Sequence, residues 1–159
     1  MIKELFIDGS VSPQQRLGFG AYLSITDEDK VGEVQLKMFE DTSSTQLELE
    51  TFLWAIEDIS IEDKLTIYTD CQNIIGLASR REKLEKFNYH TKTGKPVKHT
   101  QLYKKFFQLT DKYPCKFIKV IGHKKSTLKD QTDELFTLVD KASRNALRKY
   151  LLKIYTKII

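Results

Sequence analysis

The sequence has few of the residues that mark specialised classes of protein. Its 159 residues include only 7 glycines, 3 prolines and 2 cysteines, which excludes collagen-like and low-complexity chains and a disulfide framework. No apolar run approaches the roughly 20 residues of a membrane-spanning helix, so we expect no membrane partner. The start of the chain lacks the layout of a secretory signal, and the two cysteines are expected to be reduced thiols of a cytoplasmic protein.

What is present is typical of a globular protein with a polyanionic partner. The chain is 40% hydrophobic and 30% charged, and it shows neither a linker nor an internal repeat. We therefore interpret residues 1–159 as a single domain and expect a monomer. Segment 80–105 has a net charge of +7, whereas the rest of the chain sums to −3. Such a segment favours a nucleic-acid partner, although solvated lysine-rich faces are common.

Hydrophobic periodicity predicts an α/β domain. Ile2–Asp8 is predicted to be a strand ending in the turn Asp8-Gly9-Ser10, and alternation predicts strands at Gly18–Thr26 and Val31–Phe39. The later elements are a helix around Leu49–Ile56, a strand at Lys64–Asp70, a short helix at Gln72–Ser79, a helix through Leu102–Leu109, a strand at Cys115–Ile121 and a long helix from Gln131. A right-handed crossover makes the fourth strand parallel to an earlier one, which gives a mixed five-stranded sheet flanked by helices.

Three carboxylates are predicted to meet at one edge of this sheet. Asp8 and Asp70 each end an apolar strand, and Glu48 lies in the first turns of the intervening helix. Ligands of open α/β sheets bind beyond such strand ends. Clustered carboxylates repel one another unless a cation neutralises them, and their oxygens favour Mg²⁺ or Mn²⁺. Each residue alone is also typical of a turn or a helix start, so a structural role stays open.

Six short segments resemble the type 1 ribonuclease H family, which includes bacterial ribonuclease HI. They occur in the family's order and at its spacing: Phe6–Ser10, Gly18–Tyr22, Thr45–Leu49, Tyr68–Gln72, Gly94–Lys98 and Val120–His123. The resemblance implies the sheet order 3-2-1-4-5. It also implies an endoribonuclease that hydrolyses the RNA strand of RNA/DNA hybrids and leaves 5′-phosphate ends.

The resemblance further implies two divalent metal ions, Mg²⁺ or Mn²⁺, held by four carboxylates. Asp8 would bridge both ions, and Glu48 and Asp70 would each hold one of them. In the family, the residue at Glu48 also faces a ribose 2′-hydroxyl, which is the group that distinguishes RNA from DNA.

The last catalytic positions follow from the same resemblance. His123 matches a histidine that aids proton transfer or product release. Both Asp133 and Asp140 resemble the aspartate of the family's last helix, and they stand seven residues apart, about two helical turns. The distance from His123 favours Asp133 as the fourth carboxylate, whereas Asp140 would require a longer loop.

Substrate contacts are also implied by matching positions. Small polar residues that match family contacts to sugars, bases or phosphates are Ser10, Ser44, Gln46 and Gln72. Segment Arg80–Lys98 matches the family's basic protrusion, which holds DNA-strand phosphates, and its candidate contacts are Arg80, Lys95 and Lys98. The tryptophans of the best-known bacterial members are missing there, and Phe87 and Tyr89 are present instead.

Two alternatives to a ribonuclease H remain. One is a catalytically silent nucleic-acid-binding module on the same fold. The other is a different nuclease of this fold, such as a junction resolvase, an integrase or an exonuclease, although the exonucleases would need an acid at Ser10. Dependence of cleavage on a ribose 2′-hydroxyl distinguishes this second alternative from a ribonuclease H.

Overall fold

The computed structural model describes residues 1–61, 63–121 and 130–158, and these form a mixed five-stranded sheet with the order β3-β2-β1-β4-β5. Along the chain the elements are β1 (Ile2–Ser12), β2 (Leu17–Thr26), β3 (Gln35–Glu40), α1 (Ser44–Asp58), β4 (Leu65–Thr69), α2 (Gln72–Ile75), α3 (Leu77–Lys86), α4 (Thr100–Lys112), β5 (Cys115–Lys119) and α5 (Gln131–Ile158). The first three strands are antiparallel, and β4 is parallel to both β1 and β5. The predicted mixed sheet and its strand order are confirmed.

The first strand is longer than its apolar run predicts. The expected turn at Asp8-Gly9-Ser10 is wrong, because β1 stays paired with β2 as far as Ser12. The pairing with β4 ends earlier, at Phe6 opposite Tyr68. The antiparallel partner therefore satisfies the backbone of β1 beyond the end of β4. Asp8 lies within a strand, yet still beside the point where β4 ends.

Two other boundaries differ from the sequence prediction. The third strand begins at Gln35, and Val31 forms only an isolated bridge with Ile25. The predicted helix Gln72–Ser79 is two helices, α2 and α3, and α3 continues into the basic segment as far as Lys86. Charged residues hid this extension, because the sequence between the buried Leu77 and the core-packed Leu84 of α3 is mostly polar. Side-chain contacts of Arg81 with α4 hold α3 as well.

The sheet has an apolar core on each face. Leu5 and Ile7 of β1 belong to the cluster that includes residues of α1 and α4, such as Phe52. Phe6 belongs to the opposite cluster, with Val139 of α5. Because side chains alternate along a strand, Asp8 shares the α5 face with Phe6. The two faces of β1 thus put the site within reach of α1 and of α5.

Helix α1 approaches the sheet closely over glycines of β2. Its N-cap is Ser43, whose hydroxyl accepts the Gln46 N–H at 3.4 Å. A Cβ on Gly18 would lie 2.6 Å from the Ser10 carbonyl oxygen, and one on Gly20 would lie 2.2 Å from Thr51 Oγ1. Any side chain at these positions would push α1 outward. The glycines therefore keep the first turns of α1 near Asp8.

Within the described part of the chain, none of the helices combines the length and the apolar character that crossing a membrane requires.

Candidate active site

Three carboxylates converge at the sheet edge, as the sequence predicts. One oxygen each of Asp8, Glu48 and Asp70 lies within 4.8 Å of the other two. β1 supplies Asp8, the start of α1 supplies Glu48, and Asp70 directly follows β4. Asp8 is buried, Glu48 is half-buried and Asp70 is exposed. The cluster is therefore open to solvent on the Asp70 side.

Glycine at position 9 lets Glu48 reach this cluster. Gly9 is the residue of β1 that follows Asp8, and its Cβ position faces α1. A Cβ there would lie 3.0 Å from Leu47 Cδ2 and 3.6 Å from Glu48 Oε1. Glycine therefore leaves space for α1 to place Glu48 beside a strand whose Asp8 side chain points to the other face.

Burial and mutual repulsion disfavour the charged forms of two of these acids. Burial, followed by the charge of Glu48 and then of Asp70, raises the pKa of Asp8 to about 9. Burial and the charge of Asp70 raise the pKa of Glu48 to about 8. Both shifts have the causes expected of acids that are clustered together and removed from water.

The donor set fits a hard divalent cation. Glu48 Oε2 is buried without a hydrogen-bond partner among the described residues, and a buried polar atom of this kind destabilises a protein unless a ligand satisfies it. Mg²⁺ and Mn²⁺ bind carboxylate oxygens and would remove the repulsion among Asp8, Glu48 and Asp70. The residues present therefore fit the metal that the sequence implies.

Helix α5 brings a fourth carboxylate to Asp8. The Asp140 carboxyl group is in hydrogen-bonding contact with Asp8, and this contact adds to the rise in the pKa of Asp8. Arg144, one turn later, donates to Asp140 Oδ2 at 2.8 Å. Ser143 Oγ donates to the Asp140 carbonyl oxygen at 3.1 Å and lies 3.1 Å from Ser10 Oγ. Asp140 is thus held in place by its own helix.

Asp133 has a different environment. Its carboxylate accepts the Asp130 N–H at 3.2 Å, and its own N–H donates to the Asp130 carboxylate at 2.9 Å. This reciprocal pair is a capping box at the start of α5. Asp133 is about 10 Å along the helix axis from Asp140, so the structure does not bring it to the three carboxylates. The distance from His123 favoured Asp133 because this residue lies in the first turn of α5. The helix reaches Asp8 only about two turns later, at Asp140.

The other predicted catalytic residue, His123, lies outside the described residues, and its role stays a prediction. The small polar substrate candidates surround the cluster. Ser44 is exposed at the start of α1, Gln46 Nε2 donates to the Asp41 carbonyl oxygen at 3.3 Å, and Gln72 Oε1 accepts from Lys119 at 2.8 Å. The side chains of Gln46 and Gln72 therefore already have protein partners that a substrate would replace.

The basic candidates divide into free and engaged side chains. Lys95 and Lys98 are exposed on the loop after α3. Arg80 is exposed but donates to the carbonyl and side-chain oxygens of Asn73 at 2.8 and 2.7 Å. Arg81, counted in the basic segment, pairs with Asp111 through both of its terminal nitrogens and has a structural role. The charge count of the segment therefore overstates what is available to a ligand.

Sequence reasoning missed Ser143 and Arg144. Both contact Asp140, and Ser143 is fully buried although it is polar. Their positions three and four residues after Asp140 are those that share a helix face with it. An arginine stands four residues after Asp140, whereas a threonine stands four residues after Asp133, and this difference could have marked Asp140 as the better-supported aspartate.

Comparisons with known proteins point to a single family. The RNase H family model matches residues 2–144. The ribonuclease H of Clostridium botulinum is 29% identical over 101 residues, covering 62% of this chain and 68% of that protein. The ribonuclease H of Caldicellulosiruptor saccharolyticus is 26% identical over 133 residues, covering 82% of this chain and 90% of that protein.

Solved structures show the same fold. The solution structure of the PFV RNase H domain superposes with a TM-score of 0.71 at 16% identity and covers 89% of this chain and 92% of that one. The foamy viral protease-reverse transcriptase in complex with an RNA/DNA hybrid has a TM-score of 0.70 at 14% identity, covering 89% of this chain and 19% of that one. Because the family model spans nearly all of the sequence, the chain belongs to the ribonuclease H family.

Proposed function

We propose that this chain is a metal-dependent endoribonuclease that hydrolyses the RNA strand of RNA/DNA hybrids and leaves 5′-phosphate ends. The observation that supports it best is the convergence of Asp8, Glu48 and Asp70 at the sheet edge. The family of the chain supports the same activity, since its relatives are named ribonuclease H. A structural neighbour is solved in complex with an RNA/DNA hybrid.

Four carboxylates would hold two Mg²⁺ or Mn²⁺ ions: Asp8, Glu48, Asp70 and Asp140. Asp8 suits the bridging position, because Glu48, Asp70 and Asp140 all act on its carboxyl group. Bound divalent ions supply a hydroxide-like nucleophile and neutralise the charge that develops on the leaving 3′ oxygen. The protein itself supplies these carboxylates from β1, from α1, from the end of β4 and from α5, and the buried position of Asp8 keeps water from that side of the cluster.

Asp140 is proposed as the fourth ligand in place of Asp133. It contacts Asp8 directly, and Arg144 donates to its carboxylate and fixes its orientation. The capping contacts of Asp133 with Asp130 give that residue a structural role at the start of α5.

The substrate is proposed to lie across the exposed side of the cluster. Glu48 would accept a ribose 2′-hydroxyl and so select RNA for cleavage. The polar side chains around the site, Ser10, Ser44, Gln46 and Gln72, would contact the hybrid near the scissile bond. The exposed amines of Lys95 and Lys98, together with Arg80, would bind DNA-strand phosphates. His123 would aid proton transfer or product release.

Cleavage of end-labelled substrates tests this function. RNA/DNA hybrid, double-stranded RNA and double-stranded DNA are incubated with Mg²⁺ or with EDTA. We expect only the hybrid to be cut, and only with Mg²⁺. Asp8→Asn and Asp140→Asn should each slow cleavage by about a hundredfold or more, while Asp133→Asn should retain activity.

Two outcomes would favour the alternatives. Binding of the hybrid without cleavage in Mg²⁺ or Mn²⁺ would indicate a silent nucleic-acid-binding module. Cleavage that persists when the RNA strand has 2′-deoxy residues at the cut site would indicate a different nuclease of this fold.

We also propose that the chain acts as a single-domain monomer in the cytoplasm. Both apolar cores share one sheet, which supports a single domain. Cys71 and Cys115 form no disulfide, which supports a reducing compartment. Sedimentation of the protein over a hundredfold range of concentration tests the monomer.

A further inference from the structure

Helix α5 continues well past the residues that the RNase H family model matches. The family match ends at residue 144, whereas α5 ends at Ile158. These fourteen further residues extend the helix by about 21 Å. The extension begins one turn after Asp140, so it leads directly away from the proposed metal site.

This end of the chain is strongly basic. Residues 141–159 include six lysines and arginines and not a single acidic residue. The net charge of +4 is therefore composed of +7 in segment 80–105, +6 in residues 141–159 and −9 in the remaining chain. The acidic remainder of the chain would repel a polyanion, so a polyanionic ligand would bind at the two basic segments.

The basic side chains of the extension are available to a ligand. Four of them are exposed and form no ion pair with any residue of the described ranges: Arg148, Lys149, Lys153 and Lys157. Arg144 and Arg148 follow Asp140 at intervals of four residues, which places all three along one side of α5. Positive charge thus begins at the site and continues outward.

The apolar side of the extension packs on the protein itself. The Tyr150 ring lies edge-on to Phe19 of β2, with centroids 5.9 Å apart. Leu147, Leu151 and Ile154 are half-buried on the same side of the helix. Phe19 pairs with Ser10 of β1, so this contact fixes the extension to the end of the sheet that holds the carboxylates.

Building on the proposed function, we propose that residues 145–158 of α5 form a second nucleic-acid-binding arm. The arm contacts phosphates of the hybrid beyond the cleavage site, on the side opposite to where segment 80–105 binds. Its length of about 21 Å corresponds to roughly six base pairs. A polyanion fits it better than a membrane, because Tyr150 is packed against Phe19 and the exposed side chains include the four basic residues and only two large apolar ones, Leu152 and Tyr155, among those described.

A matched pair of charge variants tests the arm. The arm variant changes four basic residues to glutamine: Arg148→Gln, Lys149→Gln, Lys153→Gln and Lys157→Gln. The control variant makes the same change in charge at exposed lysines of the opposite end of the sheet: Lys30→Gln, Lys64→Gln, Lys112→Gln and Lys116→Gln. Binding of the hybrid is measured in EDTA over a range of salt concentrations, with a short hybrid and with hybrids lengthened by six base pairs at either end.

If the arm binds the hybrid, the wild-type protein and the two variants should differ in affinity in a defined way. Wild type and control should bind one of the two lengthened hybrids about tenfold more tightly than the short one, and the arm variant should lose this gain. The slope of log affinity against log salt for that hybrid should become shallower by about 2 or more in the arm variant alone. Circular dichroism of both variants checks that α5 stays helical.

Three results would overturn the arm. The first is an equal slope and an equal length dependence in the arm and control variants. The second is binding of vesicles of anionic phospholipid that the arm variant loses while its hybrid binding is unchanged. The third is a dimer that the exposed Leu152 and Tyr155 mediate and that Leu152→Ser dissociates without a change in hybrid binding. Failure of wild type to cleave the short hybrid in Mg²⁺ refutes the proposed function instead, and the slopes in EDTA still decide on the arm.

Discussion

At the scale of single residues, the site is a group of acids in which burial and mutual repulsion disfavour the charged forms of Asp8 and Glu48. Asp8 has a pKa near 9 in place of its ordinary 3.8, because burial and three neighbouring acids disfavour its charged form. Glu48 has a pKa near 8 in place of 4.5, for the same two kinds of reason. The site is therefore built for a bound cation, and the metal-free protein carries the electrostatic penalty.

This penalty predicts how metal-free stability depends on pH. In the folded state Asp8 and Glu48 hold their protons to higher pH than in the unfolded chain, so they contribute stability that is complete below about pH 4 and is lost as the pH rises toward 8 and 9. Between pH 6 and 8.5, the free energy of unfolding in EDTA should fall, and Mg²⁺ should restore it increasingly at the higher pH. Urea unfolding with EDTA or Mg²⁺ measures this.

The variant Asp8→Asn provides the control for that prediction. It cannot ionise at position 8, so at pH 8 its metal-free form should be more stable than wild type by about 1–2 kcal/mol. Its stability should respond less to Mg²⁺. An unfolding free energy of wild type in EDTA that rises between pH 6 and 8.5 would contradict the assigned direction of these pKa values.

The two aspartates of α5 should separate into a structural and a catalytic residue. Asp133→Ala removes the contacts with Asp130 and should lower the stability by about 1 kcal/mol, or roughly 2–4 °C in Tm, with kcat unchanged. Asp140→Ala should reduce kcat strongly and, because it relieves repulsion of Asp8, should not lower the Tm of the metal-free protein. Thermal unfolding and hybrid cleavage measure both. The reverse pattern would identify Asp133 as the fourth ligand.

At the scale of elements, the close contact of α1 with β1 and β2 positions Glu48. Thr51 of α1 lies where a side chain at position 20 would have to be, and Leu47 lies close to positions 9 and 18. The contact is therefore set by three glycines, while the opposite face of the sheet supplies Asp140 through α5. Because the two helices reach Asp8 from opposite faces, a shift of either one alters the distances among the carboxylates.

Adding a methyl group to this contact should damage both stability and metal binding. A Cβ at position 20 would lie 2.2 Å from Thr51 Oγ1, so Gly20→Ala should destabilise the protein by about 1–3 kcal/mol and weaken the Mg²⁺ dependence of activity. The hydroxyl of Thr51 is buried without a partner among the described residues. Thr51→Ala should therefore be tolerated and should partly rescue Gly20→Ala.

A glycine with space around it serves as the matched control. A Cβ on Gly76 would have its nearest neighbour at 3.4 Å, and its φ of −83° suits alanine. Gly76→Ala should leave the free energy of unfolding equal or slightly higher. Equal losses in Gly20→Ala and Gly76→Ala would show that the close approach of α1 is not the cause.

At the scale of the whole molecule, the distribution of charge should govern substrate affinity. Two basic segments lie on a body whose remaining charge is −9, and the engaged Arg81 shows that only some of these charges face a ligand. Affinity for a hybrid should therefore fall steeply with salt, whereas the chemical step at the carboxylates should not.

Neutralising the two free lysines of the loop after α3 tests this separation. Lys95→Gln with Lys98→Gln should raise KM about tenfold at physiological salt and leave kcat unchanged, because both amines are exposed and are proposed to contact phosphates only. Steady-state cleavage at several salt concentrations measures both constants. Lys64→Gln with Lys116→Gln is the control of equal charge. A fall in kcat with unchanged KM would show that the loop acts on the chemistry.

The sequence by itself determined the order of the elements, the mixed sheet and the three carboxylates that meet on it. These follow from local patterns: alternation in Gly18–Thr26, a helical stripe around Phe52, and acids at the ends of apolar runs. Periodicity depends only on neighbours along the chain, so it can be recognised without the tertiary structure. It failed where pairing with a distant strand was decisive, as in the continuation of β1 to Ser12.

Only the tertiary structure decided which aspartate of α5 meets Asp8. Asp133 and Asp140 stand in similar local sequences, and each opens or continues the same helix. The choice depends on how far α5 travels along the sheet before it passes Asp8, a distance set by the packing of Phe136 and Val139 on β1 and β2. The same holds for Arg81. The net charge of segment 80–105 includes it among the groups available to a ligand, but in the structure its side chain is paired with Asp111 of α4. Local sequence patterns do not determine contacts between distant parts of the chain, because such contacts form only when the elements pack together.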